Sequence, residues 1–93
     1  MSYGTLTATS SAQVLIAANT NRHSLIIIND SDTLTAYIGQ DSSVTSSNGT
    51  PIYPNTNYCE DNGGTKMYCG PIYVVTDGAD TCNMRYWERS EFR

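Results

Sequence analysis

Histidine occurs once in this chain, at His23, and no Cys-x-x-Cys pair is present. The three cysteines, Cys59, Cys69 and Cys82, stand far apart, so a four-ligand zinc site lacks its donors. Basic residues are equally scarce. Arg22, Lys66, Arg85, Arg89 and Arg93 face nine acidic residues, for a formal net charge of -4. That balance excludes a nucleic-acid footprint spread over the whole chain. No apolar run approaches the ~20 residues of a membrane-spanning helix. Helical periodicity is missing too: no segment sustains it over ten residues. Met1 to Ser11 has neither a basic start nor an apolar stretch of the secretory kind, and the expectation is a soluble chain made in the cytoplasm.

Charged residues make up only 15% of the 93, while Ser, Thr, Asn and Gly abound. Such side chains compete with the helix backbone for hydrogen bonds and favour strands joined by polar turns. The composition suits secreted, surface or virion β proteins better than cytosolic enzymes. A chain of this size is one domain with a thin core, worth about 5–10 kcal/mol of net stability.

The stretch from Arg22 to Gly39 organises the rest. Leu25, Ile26, Ile27 and Ile28 form a short, mostly β-branched run that reads as a strand buried on both faces. Asn29, Asp30, Ser31 and Asp32 are four turn-formers in a row, and Tyr37 to Gly39 reads as the return strand of a hairpin. Val14 to Ala18 precedes it across an Asn19-Thr20-Asn21 turn and is expected to pair antiparallel with Leu25–Ile28. Met1 to Ser11, with Tyr3 and Leu6 as its large apolar groups, reads as an edge strand or as an arm reaching onto a neighbour. The expected division is an arm over residues 1–11 and one domain over residues 12–93.

Downstream, Gln40 to Thr50 is a polar loop anchored only by Val44, with Asn48-Gly49 as its turn signal. Pro51 and Pro54 bracket an edge segment. Tyr58–Asp61 and Lys66–Cys69 read as a further hairpin over Asn62-Gly63-Gly64, which would allow a Cys59–Cys69 bridge; the preferred reading of all three cysteines is a small buried hydrophobe. Ile72 to Val75 is the second strong apolar run, followed by an Asp77-Gly78 turn. From Cys82 to Glu88 the residues alternate: Cys82, Met84 and Tyr86 on one face, Asn83, Arg85 and Trp87 on the other. Six to eight short strands at this spacing make an antiparallel β-sandwich or a partly open barrel.

Chemistry is hard to find. His23 beside Arg22 reads as a rim histidine rather than a base. The Asp30/Asp32 and Asp77/Asp80 pairs lie in turns, where aspartate serves the backbone, and their spacing fits no calcium loop. No catalytic residue, metal or cofactor is expected. Recognition is the better prospect. Tyr53, Tyr58 and Tyr68, in polar segments, suit a protein- or glycan-binding face or else cap a thin core. Arg85, Arg89 and Arg93 make the C-terminus locally basic: a solvated end, or a contact with an acidic partner. The candidate contact residues are Tyr3, Leu6, Val44, Tyr53, Tyr58, Arg89 and Arg93.

Several of these segments carry a resemblance. Arg22-x-Ser24-Leu25-x-Ile27-x-Asn29, Ser31-Asp32, Tyr37-Ile38-Gly39, Asn48-Gly49-x-Pro51-Ile52, Gly70-Pro71-Ile72-Tyr73-Val74-Val75 and Met84-Arg85-x-x-Glu88 together resemble the small β-sandwich modules of tailed-phage virions. These include capsid decoration (cement) proteins and head-fibre or tail modules. The resemblance covers about Ala12 to Glu88; the Tyr58–Cys69 segment departs from it. It implies a non-enzymatic virion component, often a homotrimer, bound to the outer surface of the major capsid protein shell and touching neither nucleic acid nor membrane. A receptor- or glycan-binding module of a fibre is the alternative.

Overall fold

Thr, Val, Ile and Tyr fill the segments that become strands, and polar turn-formers separate them. The computed structural model describes residues 2–20, 22–61, 68–78 and 81–90. Eight strands are present: β1 (Ser2–Ala8), β2 (Gln13–Ile16), β3 (Arg22–Asn29), β4 (Ala36–Gly39), β5 (Thr50–Ile52), β6 (Asn57–Asp61), β7 (Ile72–Thr76) and β8 (Cys82–Ser90). They form two four-stranded antiparallel sheets, β1-β8-β3-β6 and β2-β7-β4-β5. The chain is an all-β sandwich, as its turn spacing predicts.

The core lies between the sheets. Leu25, Ile27, Met84, Cys82 and Ala8 enter it from the first sheet, and Ile16, Ala36, Ile38, Ile52, Ile72 and Val74 from the second. A β-bulge between Val14 and Ile16 lets Leu15 and Ile16 both point inward. Leu25–Ile28 is not buried on both faces. Leu25 and Ile27 are buried, while Ile26 and Ile28 are half-buried on the outside. An antiparallel sandwich covers only one face of each sheet, so a continuous apolar run still splits by parity.

Two expected pairings are corrected. β3 and β4 do not form a hairpin: β3 lies between β8 and β6, whereas β4 pairs with β5 and β7 in the other sheet. Val14–Ala18 likewise does not pair with Leu25–Ile28, because β2 pairs with β7. Residues 29–34 reverse the chain as an arch between sheets. Asn29 builds it. Its side chain is fully buried; Nδ2 donates to the Leu34 carbonyl at 2.8 Å and the Ile52 carbonyl at 2.9 Å, and Oδ1 accepts from Ser31 N at 3.1 Å. Its own amide donates to Thr56 O, and its carbonyl accepts from Asn55 N. Every polar group of this buried residue is thereby satisfied, which a buried amide requires. Among the described residues, only β4 and β5 are both consecutive and paired.

Ser2–Ala8 is not a free arm. It is the terminal strand of the first sheet, in unbroken register with β8 from Ser2↔Glu88 to Ala8↔Cys82. Ala8 is fully buried and Leu6 packs against the core. Gly4 carries the strand past Tyr86, whose ring occupies the space a Cβ would need.

A second buried polar centre closes one end of the sandwich. The Arg22 side chain is fully buried and donates four ways: Nε to Glu88 Oε2 at 2.8 Å, Nη1 to the carbonyls of Tyr68 and Gly70 at 3.0 Å each, and Nη2 to Ala17 O at 2.9 Å. A guanidinium suits this place because its planar fork serves several fixed acceptors at once. Arg22 thus ties β3 and β8 to the segment that leads into β7.

Candidate binding face

The alternation of β8 turns Asn83, Arg85, Trp87 and Arg89 away from the core. Direct antiparallel partners share a face, so the register identifies their neighbours. Trp87 lies between Tyr3 of β1 and Ile26 of β3, and Ile26 is followed by Cys59 of β6. One cross-strand row therefore reads Tyr3, Trp87, Ile26, Cys59, across the whole sheet. The next reads Thr5, Arg85, Ile28, Asn57. Trp87, Ile26 and Ile28 are half-buried, and Cys59 is exposed. A shallow recess between these rows is lined by Gly4, Thr5, Ile28, Arg85, Tyr86 and Trp87.

Two cations flank the tryptophan. Arg85 and Arg89 stand two residues to either side of Trp87 and are exposed, and Arg85 pairs with Asp30 at 2.9 Å. That pair is largely solvated and worth little on its own. Among the described residues, Arg85 and Arg89 are the exposed Lys or Arg side chains, since Arg22 is buried. On the outer side of the other sheet Val14, Tyr37, Tyr73 and Pro51 are exposed or half-buried, Val75 is buried, and no cation occupies these positions. Among the described residues, this acidic chain thus places its exposed positive groups around one partly apolar sheet face.

The residues expected at a contact surface are scattered. Tyr53 is 60% exposed in the turn after β5, and Arg89 belongs to the face just described. Tyr3 occupies the register position beside Trp87. Arg93 lies outside the described residues, as do Asn62-Gly63-Gly64 and Lys66 of the expected second hairpin. Leu6 faces the core of its own molecule. Val44 is buried, packed over Gly39 and Gly49, so it anchors the loop rather than a partner. That loop holds itself in place: Asp41 accepts from Ser43 N at 2.9 Å, and Asn48 Oδ1 accepts from Thr45 N at 2.7 Å. The hydrogen bonds from Ser43 hold the Asp41 carboxyl below its usual range.

Tyr58 does not join Tyr53 in an exposed platform. Its side chain turns inward, packs against the core and donates from its hydroxyl to Glu60 Oε2 at 2.8 Å. Desolvation, reinforced by Glu60, pushes its pKa up to about 12. Tyr58, Glu60, Tyr68, Ile38 and Ile72 line a cavity of about 90 Å³ at the sandwich mouth. Tyr68 is committed as well, donating to Pro71 O at 2.7 Å. This space holds a few waters, not a substrate. Cys59 and Cys69 are not joined in a bridge; Cys59 is exposed and Cys69 partly covered. Only Cys82 is a buried hydrophobe, and burial raises its thiol pKa.

Trp87, Ile26, Ile28 and Cys59 were not among the expected contact residues, and Arg85 was expected only as part of the basic C-terminal end. The alternation of β8 shows Trp87 and Arg85 on one side, but only the register adds Ile26 and Cys59. No family model matches this chain, and neither a curated protein nor a solved structure does. Among the described residues no group of three or more His, Cys, Asp and Glu side chains could hold a metal, and no helix is long and apolar enough to cross a membrane.

Proposed function

We propose that this chain is a non-enzymatic capsid decoration (cement) protein of a tailed phage. It docks on the outer surface of the major capsid protein shell through the outer face of the β1-β8-β3-β6 sheet. The observation that carries the reading is the arrangement around Trp87: an aromatic–aliphatic row with Arg85 and Arg89 on either side, on a chain of net charge -4. Desolvated aromatic and arginine side chains supply much of the energy of protein interfaces. The partner is therefore an acidic protein surface with an apolar centre. The resemblance of the strand motifs to phage virion modules supplies the shell. Burial of this face across joints between capsid subunits would tie neighbouring subunits together against the pressure of packaged DNA.

Purified protein is expected to bind expanded capsids saturably, at a fixed ratio to the capsid subunit. Trp87→Ala and Arg89→Glu should each weaken binding at least tenfold, or about 1.4 kcal/mol. Full-strength binding by both variants overturns the assignment of the face; no binding by the natural protein overturns the function.

The second reading, a receptor- or glycan-binding module of a fibre, rests on the 60% exposure of Tyr53. It requires saturable binding on a glycan array that Tyr53→Ala abolishes.

A further inference from the structure

The four sheet edges are not alike. β2 is four residues long and bulged at Leu15. β5 is three residues long and contains Pro51, which has no amide to donate. β6 carries Glu60 and Asp61. Short length, bulges, proline and charge are the devices that keep an edge from pairing with another chain. β1 has none of them. It runs seven residues, Ser2-Tyr3-Gly4-Thr5-Leu6-Thr7-Ala8, with no proline, no charge and no break in its register to β8. It is the terminal strand of its sheet, so among the described residues its outer edge is hydrogen-bonded to no other strand, although β1 also lies near β2 and β7 of the facing sheet.

We propose that this edge pairs with a second copy of the chain. The two β1 strands lie antiparallel about a two-fold axis at Thr5, joining two four-stranded sheets into one of eight strands. Several features commit the edge to a second copy. The strand is self-complementary in this register: Tyr3 meets the partner's Thr7, Gly4 meets the partner's Leu6, and Thr5 meets the partner's Thr5. Outward residues face outward residues throughout, as direct antiparallel partners must. The Thr5 pair at the axis is a favourable cross-strand combination. On the inner side, Leu6 comes beside the partner's Gly4 and against the Tyr86 ring that overlies it, extending both cores toward the axis. A net charge of zero on β1 removes the repulsion that two acidic chains would otherwise meet there.

This pairing is two-fold, whereas the resemblance to decoration proteins implies a trimer, and it does not depend on the capsid reading. It leaves the Trp87 face open and brings two such faces side by side.

Sedimentation of the full chain tests it. The natural protein should sediment as a dimer in the micromolar to millimolar range. Thr5 is exposed on the outer face, so Thr5→Lys should keep the fold and place two ammonium groups across the axis, giving a monomer. Thr5→Glu alone should do the same, and an equimolar mixture of the two should return to the mass of a dimer. Amide exchange supplies a second readout: the alternate β1 amides that face away from β8 should slow as concentration rises. A natural chain that stays monomeric at millimolar concentration overturns the proposal. So does a trimer or dimer whose mass neither charge variant changes.

Discussion

Arg22→Met is the sharpest probe of what holds this sandwich closed. The guanidinium is fully buried, and the Glu88 side chain opposite is 10% exposed. Removing the arginine leaves a nearly buried carboxylate without its partner, which costs about 3–5 kcal/mol. It also strips donors from the carbonyls of Ala17, Tyr68 and Gly70, three points where the chain turns between sheets. Against a total of about 5–10 kcal/mol, that loss takes roughly half the stability or more. Glu88→Gln should behave differently. The amide oxygen still accepts from Nε and the three carbonyl bonds remain, but the buried guanidinium loses its counter-charge, so the expected cost is smaller than that of Arg22→Met yet more than the ~1 kcal/mol of one neutral hydrogen bond. The double variant Arg22→Met with Glu88→Leu should recover part of the Arg22→Met loss, because no buried charge is stranded. Urea unfolding followed by Trp87 fluorescence measures all three. An Arg22→Met variant within 1 kcal/mol of the natural protein, or a double variant no more stable than Arg22→Met, refutes the reasoning.

Asn29→Ala should cost about 3–4 kcal/mol in the same assay, since it removes three side-chain hydrogen bonds from the buried arch. Asn29→Asp should cost at least as much, because a carboxylate cannot donate to Leu34 O or Ile52 O. Tyr58 makes stability fall in alkali. Its folded pKa of about 12 lies above the ordinary 10.0, so its contribution is whole below pH 10 and is lost between pH 10 and about 12. Tyrosinate absorbance and urea midpoints across that window should show the loss, and Tyr58→Phe should flatten it. Asp41 works in the opposite sense. Its carboxyl is held below 3.8 by Ser43, so its support of the 41–49 loop is present above that value and disappears as the pH drops beneath it. Exchange of the Ser43 and Thr45 amides should quicken there, and Asp41→Asn should remove the pH dependence.

The strands were largely legible and their partners were not. Leu25–Ile28, Ile72–Val75 and the alternation from Cys82 to Glu88 announce strands because β-branched and aromatic side chains fit a pleated surface. Asn29-Asp30-Ser31-Asp32 announces a reversal. Nothing local says whether the chain returns beside itself or across the core. That choice is made by Ile52 and Leu34, whose carbonyls capture the Asn29 amide. Arg22 could be seen at the head of a strand, but its role depends on carbonyls some fifty residues away. Val44 shows the same limit: a lone apolar residue in a polar loop looks like a surface anchor until Gly39 and Gly49 provide its seat. The candidate face was half visible. Trp87 and Arg85 share a side by parity alone, but Ile26 was hidden inside a continuous apolar run, and Cys59 joins the row only through the β3–β6 register.

The central claim is that this chain covers a phage shell, and its copy number in purified virions tests that most directly. Quantitative mass spectrometry against the major capsid protein should find on the order of hundreds of copies per particle, in fixed proportion to a symmetric shell. Absence from the virion, or a dozen copies or fewer as a tail or fibre would give, contradicts it.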